Sequence, residues 1–380
     1  MHEHLRLPLL AAIAATAPAS AGAQESRDFA TDKVRITAEI VAGELENPWG
    51  LDFLPNGEAI VTERPGRIRL LTSQGLSEPI EGVPEVADSG QGGLMDIAVA
   101  PDFAQSGTLF FTFSEPGRGG AGTALARATL TRDSGKAGLT DVKVIFTMNK
   151  KGSTSRHFGS RIVLRPDGTV VLTTGDRGEG ERAQDMQDHA GAVLRINADG
   201  SIPSDNPFAD GRDAAPEIWS KGHRNIQGAI FDPVTNALVI HEHGARGGDE
   251  INRPEAGKNY GWPVISYGVD YSGAKIGVGT EAPGYEQPLF YWDPSIAPSG
   301  LASYQGEMFP EWEGDLLVGS LKFGLLSRLE RDERGAIGSE ERMLEGEFGR
   351  IRDVNVAPDG SIWLLTDESD GAIVRLSRAR

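Results

Sequence analysis

The chain has 380 residues, enough for one large domain or for two or three of average size. Its 49 glycines and 22 prolines favour turns and short strands over long helices. The formal charge of −18 argues against nucleic acid and anionic membrane surfaces as partners, and the absence of cysteine excludes disulfides, thiolate metal sites and cysteine nucleophiles.

The N-terminus carries an export signature. An apolar, alanine-rich run from Leu5 to Ala19 follows a weakly basic start, and residues 21–23 (Ala-Gly-Ala) form a small-x-small cleavage pattern. The run is too short to be a permanent membrane anchor. We therefore expect a signal peptide over 1–23 and a mature chain over 24–380, exported to a bacterial periplasm and without a membrane span.

A recurring phrase organises the rest of the chain: a proline-led turn, an apolar strand, and then small or acidic residues. The prolines that lead it stand at positions 55, 101, 166, 233, 310 and 358. These spacings predict an all-β chain folded as a six-bladed β-propeller with four-stranded antiparallel blades, in a single domain. A two-domain β-sandwich is the alternative. The stretch that best predicts a helix is short, around Gln184 to Leu194.

The third repeat predicts a β-hairpin with polar groups at its open end. A Pro-Asp-Gly turn at 166–168 joins the apolar runs Ile162–Leu164 and Val170–Leu172, with His157 before the first run and Asp176 after the second. Because a hairpin reverses the chain, both side chains should lie at the same rim. A carboxylate that fixes a histidine tautomer makes that histidine a competent general base. The alternative is a surface-loop histidine and an aspartate that closes a turn.

Polar residues recur at equivalent places in the other repeats. In a propeller the blade loops converge on one face, so such residues should share a pocket. A single cation of this kind is typical of a solvated surface, but recurrence at one kind of position favours a common site. The residues concerned are Gln91, Asp96, His157, Asp176, His223, Arg224, Asn225, Lys322, Arg350 and Arg352.

An ordered set of phrases resembles one known family, the soluble, calcium- and pyrroloquinoline-quinone-dependent aldose sugar dehydrogenases. The resemblance covers nearly the whole mature chain and implies a six-bladed propeller exported to the periplasm. The matching phrases are NPWGL (47–51), GQGGLMDIAVAPDF (90–103), HFGSRI (157–162), GHRNIQG (222–228), EHGARGGDEIN (242–252), GKNYGWP (257–263), SLKFG (320–324), RIRDVNVAPDG (350–360) and LTDESDG (365–371).

The resemblance implies pyrroloquinoline quinone (PQQ) as a cofactor. PQQ is a flat ortho-quinone with three carboxylates, and Lys322, Arg350 and Arg352 match the family's cations for those groups. Arg224 and Asn225 match the residues that hold the reactive quinone oxygen and the cofactor edge.

The same resemblance implies the reaction and its residues. His157 matches the general base, Asp176 the acid that orients it, Gln91 a contact to substrate and cofactor, and Trp292 an aromatic wall for the sugar. The implied reaction oxidises the anomeric carbon of an aldose to an aldonolactone, with hydride transfer to the quinone. An external electron acceptor then reoxidises the quinol. The family includes both monomers and homodimers.

Calcium is the second implied cofactor. The resemblance places one Ca²⁺ on the backbone carbonyls of Gly244 and Ala245, and a second, structural Ca²⁺ on a side chain and carbonyls at Glu250, Tyr260 and Asp270. Ala245 replaces the proline that is commoner there. Since the loop then lacks proline's fixed φ, we expect looser binding at the first site.

Two other classes of function stay open. Six-bladed propellers also serve as calcium-dependent lactonases and as non-catalytic binding modules. A lactonase would need side-chain carboxylates and amides around its metal, whereas a binding module would need no paired histidine. His241 and His243, two apart on a predicted strand, could face a transition metal together, but no third ligand is evident and packing is the favoured interpretation.

Overall fold

The computed structural model describes residues 26–133 and 135–380, so the expected signal peptide over 1–23 lies outside the described residues. Two strands, β1 (Ser26–Ala30) and β2 (Arg35–Leu45), come first in the described chain and pair antiparallel with each other. Both strands belong to the last sheet, which is described below.

Six antiparallel sheets make up the described part of the chain. The first five have four strands each: β3 (Pro48–Phe53), β4 (Ala59–Glu63), β5 (Arg67–Thr72) and β6 (Gly75–Leu76); β7 (Leu94–Val99), β8 (Thr108–Gly117), β9 (Gly120–Asp133) and β10 (Lys136–Thr147); β11 (Ile162–Leu164), β12 (Thr169–Thr173), β13 (Ala192–Asn197) and β14 (Ile218–Lys221); β15 (Ile226–Asp232), β16 (Ala237–Glu242), β17 (Asp249–Asn252) and β18 (Phe290–Trp292); β19 (Pro298–Ser303), β20 (Leu316–Ser320), β21 (Leu326–Arg331) and β22 (Ile337–Met343).

The sixth sheet joins the two ends of the chain. It contains β23 (Ile351–Val356), β24 (Ile362–Thr366) and β25 (Gly371–Arg378), and β25 pairs with β2 from the N-terminus. Its order is β1-β2-β25-β24-β23, so this blade has five strands where four were predicted. The six sheets are arranged as blades in a ring, and the prediction of a six-bladed β-propeller is confirmed.

Alternate residues of a buried strand pack into the interfaces on its two sides. In β12, Val170 and Leu172 belong to the apolar core shared with β7–β10, whereas Val171 belongs to the core shared with β15 and β16. Since neighbouring blades cover both faces of a blade, its inner strands are nearly continuous runs of apolar residues. This explains the short Val/Leu-rich runs of the sequence.

The innermost strands of the six blades surround a central channel. Its middle is closed by Arg161, which donates to Asp96 (3.0 Å) and Asp353 (2.7 Å) and stacks on the ring of Trp49 at 4.3 Å. The carboxyl-terminal halves of the innermost strands line the cavity on one side of Arg161. The residues that precede these strands meet on the other side, where the candidate site lies.

Helical structure in the described residues is limited to three short segments: α1 (Phe103–Ser106) and two 3-10 turns, Gly180–Gln184 and Pro310–Trp312. The helix predicted around Gln184 to Leu194 is therefore wrong. A 3-10 turn ends at Gln184, Asp188 accepts the backbone N–H of Ala190, and the apolar residues that follow form β13. No helix in the ranges 26–133 and 135–380 is long and apolar enough to cross a membrane.

Candidate active site

The predicted hairpin forms and brings His157 and Asp176 into contact. Strands β11 and β12 pair in the register Ile162–Leu172, and the segments at their open end carry the two side chains. His157 Nδ1 lies 2.6 Å from Asp176 Oδ1, and both groups are buried. The same carboxylate oxygen accepts the backbone N–H of Gly178 at 2.6 Å. We call this pair the dyad.

The backbone around His157 is tightly fixed. Its φ of 58° is left-handed, which is uncommon for a residue other than glycine and is often found at functional sites. Its N–H donates to Gln91 Oε1 at 2.7 Å. On the neighbouring segment, a Cβ at Gly175 would lie 2.3 Å from the His157 carbonyl oxygen. Any side chain at this position would clash with that oxygen, so the position requires glycine.

The surroundings favour a neutral imidazole. Burial lowers the pKa of His157 below its ordinary value of 6.5, and the guanidinium groups of Arg224 and Arg156 add to this, although Asp176 opposes it. Burial alone would raise the pKa of Asp176, but its hydrogen bonds to His157 and Gly178 and the charge of Arg224 lower it overall. An ionised carboxylate thus faces a neutral imidazole, which carries its proton on Nδ1 and leaves Nε2 as the basic nitrogen.

Arg224 and Asn225 adjoin the dyad from the next blade. The N–H of Asp176 donates to the Arg224 carbonyl at 2.8 Å, and Asn225 Oδ1 accepts the N–H of Gly159 at 3.2 Å. The Arg224 guanidinium donates to the Gly244 carbonyl at 2.5 Å. The start of β15 is thereby attached to the segments that carry the dyad.

An aromatic residue that the sequence did not single out completes this cluster. The indole N–H of Trp262 donates to Asp176 Oδ2 at 2.8 Å, and its ring lies 5.2 Å from the guanidinium carbon of Arg224. The aromatic position predicted from the resemblance, Trp292, is wrong. Trp292 lies in the core between blades with 3% of its surface exposed, and its N–H donates to Glu340, because β18 turns this side chain inward.

Beside the dyad lies a hollow of about 80 Å³. Gln91 and Asn225 are among its walls, together with three guanidinium groups and one carboxylate. The charged residues are Arg64, Arg350, Arg352 and Asp367. An excess of positive charge in this hollow contrasts with the charge of −18 on the whole chain.

Two of these guanidinium groups have unused hydrogen-bond donors. Within the described ranges, Nε of Arg64 and Nε of Arg352 are buried and have no hydrogen-bond partner. Arg64 Nε lies 4.0 Å from the nearest oxygen of Asp88, and Arg352 donates through Nη2 to Gln227. Arg64 was missed by the sequence analysis, since it lies in a turn after β4 with no polar pattern around it.

The remaining predicted cations are placed differently. Arg350 lines the hollow and pairs with Asp367 at 3.1 Å. Lys322 is exposed, with Nζ 4.9 Å from the centre of the Phe323 ring, and is absent from the residues that line the hollow. The structure therefore brings Arg224, Asn225, Gln91, Arg350 and Arg352 together with the dyad, but not Lys322.

The structure places the residues of the two predicted calcium sites differently. The Gly244 carbonyl already accepts Arg224, and the adjacent Ala245 is buried. Asp270 is exposed and its carboxylate caps a turn through Ser272. In the part of the chain that the structure describes, no group of three or more histidine or acidic side chains is arranged to hold a metal.

Glu250 is the half-buried carboxylate of the predicted calcium set. Burial and the neighbouring carboxylate of Glu242 raise its pKa to about 8. It accepts Asn252 Nδ2 at 3.1 Å, whereas Asn252 Oδ1 is buried without a partner among the described residues. Tyr260 stacks on His223 with ring centres 4.8 Å apart, and its hydroxyl donates to the Arg253 carbonyl.

His241 and His243 do not share a ligand position. Nε2 of His241 lies 3.3 Å from the Gly300 carbonyl, and Nε2 of His243 lies 2.7 Å from the Pro298 carbonyl. Each imidazole thus bonds to the backbone of the following blade, in agreement with the packing interpretation.

Comparison with known proteins gives one consistent result. A family model described as Glucose / Sorbosone dehydrogenase matches residues 45–375. The chain is 42% identical to aldose sugar dehydrogenase YliI of Escherichia coli, over 90% of this chain and 93% of that one. The solved apo-form of the soluble aldose sugar dehydrogenase from Escherichia coli superposes with a TM-score of 0.87 at 41% identity, covering 90% of this chain and all of that one.

A PQQ-bound aldose sugar dehydrogenase from Streptomyces coelicolor is more distant. It superposes with a TM-score of 0.73 at 28% identity, covering 93% of this chain and 99% of that one. The family match extends from the end of β2 into β25 and includes every residue of the dyad and of the hollow. The chain belongs to the glucose/sorbosone dehydrogenase family.

Proposed function

We propose that the protein is a PQQ-dependent aldose dehydrogenase that oxidises the anomeric carbon of a cyclic aldose to the aldonolactone. The observation that carries the proposal is a histidine–aspartate dyad next to a hollow lined by guanidinium groups, with the N–H of His157 bonded to Gln91 in the wall of that hollow. The names of relatives support it, since an aldose sugar dehydrogenase and a PQQ-bound aldose sugar dehydrogenase are among them.

The charges that line the hollow suit a polyanionic ligand. Three guanidinium groups line it against one carboxylate, and the free Nε donors of Arg64 and Arg352 need acceptors. Arg64, Arg350 and Arg352 would hold the carboxylates of PQQ, and Arg224 and Asn225 its quinone edge. When bound, PQQ supplies a two-electron acceptor for the hydride of the sugar C–H bond.

The dyad supplies the base. His157 Nε2 accepts the proton of the anomeric hydroxyl while the C–H bond gives up its hydride, so the anomeric carbon becomes the lactone carbonyl. Asp176 stabilises the imidazolium that forms, through the bond to Nδ1. Arg224 lies close enough to lower the pKa of His157, so its positive charge acts on the same site.

Calcium binding is part of the proposal, and the residues that best suit the ion are Glu250 and Asn252. The half-buried Glu250 carboxylate and the free Asn252 Oδ1 are hard oxygen donors that would suit Ca²⁺. The Gly244 carbonyl already accepts the Arg224 guanidinium, so a cation there would have to share this oxygen with the guanidinium or displace it. We also propose export through a signal peptide over 1–23, in line with the sequence.

Reconstitution tests the function. Apoprotein with PQQ and Ca²⁺ should reduce a dye in the presence of an aldose, and the absorption spectrum of the bound quinone should change when an aldose from a panel is added. His157→Gln should lower kcat by roughly 10²–10⁴ and leave quinone binding intact. His189→Gln, which removes a buried histidine paired with Glu217 outside the hollow, is the matched control.

The pH profile gives an independent readout. Since the pKa of His157 in the free protein is below 6.5, its base form predominates at neutral pH, and kcat/KM should fall only when the pH drops below 6.5. Normal turnover in the His157→Gln protein, or no spectral change with any aldose, would contradict the proposal. Lactone hydrolysis without quinone would favour a lactonase, and inactivity in both assays a binding module.

A further inference from the structure

The Asp176 carboxylate is held by three donors from three segments. Oδ1 takes His157 Nδ1 and the backbone N–H of Gly178, both at 2.6 Å. Oδ2 takes the indole N–H of Trp262 at 2.8 Å. Two bonds to one oxygen would still allow the carboxylate plane to turn about that oxygen. The third bond, on the other oxygen, fixes the plane.

Trp262 comes from another blade and is itself anchored. It lies in the connection between β17 and β18, 86 residues beyond Asp176 in the chain. The backbone N–H of Trp262 donates to the Gly222 carbonyl at 2.9 Å, and the backbone carbonyl of Trp262 accepts Gln184 Nε2 at 2.6 Å. The backbone of Trp262 is therefore tied to the segments on both sides, and its indole N–H has a defined position.

The same indole contacts the neighbouring cation. The guanidinium carbon of Arg224 lies 5.2 Å from the centre of the Trp262 ring, within the range of cation–π attraction. Arg224 also carries the carbonyl that accepts the N–H of Asp176. One side chain thus contacts the carboxylate of the dyad at its N–H and the cation beside the dyad at its ring.

We propose that Trp262 is a positioning residue for proton abstraction: it fixes the Asp176 carboxylate through its indole N–H and thereby sets the direction of the His157 imidazole relative to Arg224. This inference rests on the proposed dehydrogenase function. Trp262 acts through Asp176 and need not contact the sugar. The family resemblance implied that Trp292 is the aromatic residue of the site, but Trp292 lies in the core.

Trp262→Phe tests the role of the N–H, because it keeps a ring against Arg224 and removes the donor. Loss of a hydrogen bond to a carboxylate should lower kcat by roughly tenfold to a hundredfold, with little change in the KM for sugar or in the affinity for PQQ. Trp219→Phe is the matched control, since it removes an indole bond to the Pro254 carbonyl outside the hollow. It should leave kcat, KM and PQQ affinity unchanged.

A readout in the apoprotein separates this inference from the function itself. In ¹⁵N-histidine-labelled protein without PQQ, the Nδ1 proton of His157 should resonate far downfield, as expected for a short bond to a carboxylate. It should move upfield in Trp262→Phe and stay in place in Trp219→Phe. If wild-type protein lacks sugar dehydrogenase activity, the proposed function fails, but this resonance still decides the positioning role.

In Trp262→Phe, either an unchanged His157 resonance or an unchanged kcat of the reconstituted active enzyme would overturn the inference. Should Trp262→Phe not fold, Asp176→Asn provides a second measurement. Among the indole protons of the six tryptophans, that of Trp262 should then shift most, because its charged acceptor becomes neutral. No shift of that proton would also overturn the inference.

Discussion

Arg352 is a buried guanidinium without a full set of acceptors. Its side chain is 6% exposed, and within the described chain its Nε has no hydrogen-bond partner. Burial, together with the charges of Arg161 and Arg350, lowers its pKa to about 10. Arg161, by contrast, is paired with Asp96 and Asp353. A buried charge that is only partly compensated costs stability, and an anionic ligand would compensate it.

Replacing Arg352 should therefore separate ligand binding from stability. Arg352→Gln should weaken PQQ binding by roughly tenfold to a hundredfold, as loss of a charge-assisted contact implies. It should leave the melting temperature of the apoprotein unchanged or raise it. Absorption titration with PQQ and thermal melts without it measure the two effects. Arg375→Gln, which removes a surface pair with Asp359, is the control. A destabilised variant with normal affinity would contradict the argument.

At this scale, sequence reasoning found the residues whose neighbours are close in the chain. His157 and Asp176 flank one hairpin, so their contact follows from the turn between them. Trp262 reaches Asp176 from another blade, and Arg64 lines the hollow from an unremarkable turn. Contacts of this kind depend on how blades face one another, which a local pattern does not contain.

At the scale of elements, the site depends on the junction between β12 and β15. Gly175 and Asn225 pair across it, and Asp176 and Arg224 follow as the next bonded residues. A Cβ at Gly175 would approach the His157 carbonyl to 2.3 Å and Asn225 Oδ1 to 2.9 Å. Because both contacts involve groups of the site, the backbone of the dyad would have to move.

Gly175→Ala should reduce turnover more than stability. The added methyl group displaces His157, so kcat should drop by roughly tenfold or more, since small misplacements of a base are costly. The loss of unfolding free energy should be about 1–3 kcal/mol, the usual cost of overpacking. Gly43→Ala is the matched control, because Gly43 lies in β2 with no atom within 4 Å of the added Cβ. Turnover and denaturant melts are compared, and an active Gly175→Ala protein would contradict the expected movement of the dyad.

The elements themselves were only partly predictable. Pro-Asp-Gly turns mark hairpins because their residues favour turn geometry, and the β11–β12 hairpin was predicted in this way. The helix around Gln184 to Leu194 was not a helix, since its apolar residues become the third strand of a blade buried on both faces. Helical and doubly buried strand patterns look alike over so short a run.

At the scale of the whole molecule, the ring is closed by the chain ends. Strand β2 pairs with β25 from Ile36–Arg378 to Leu45–Gly371, so the N-terminal strand completes the blade formed by the C-terminus. Ile36 and Leu45 are fully buried. A repeat pattern indicates the number of blades but not which strand closes the ring, since that pairing joins opposite ends of the sequence.

Two truncations distinguish closure from simple strand loss. A chain that begins at Thr31 lacks only β1, which is mostly exposed, and its melting temperature should fall by no more than a few degrees. A chain that begins at Asn47 lacks β2 as well. Each buried Ile or Leu contributes about 1.5–3 kcal/mol, so losing Ile36 and Leu45 removes about 3–6 kcal/mol of the roughly 5–15 kcal/mol that stabilise a domain. The open edge of β25 should then favour aggregation. Thermal melts measure the loss of stability, and size-exclusion chromatography measures the aggregation. A monomeric, stable chain from Asn47 would show that closure through β2 is dispensable.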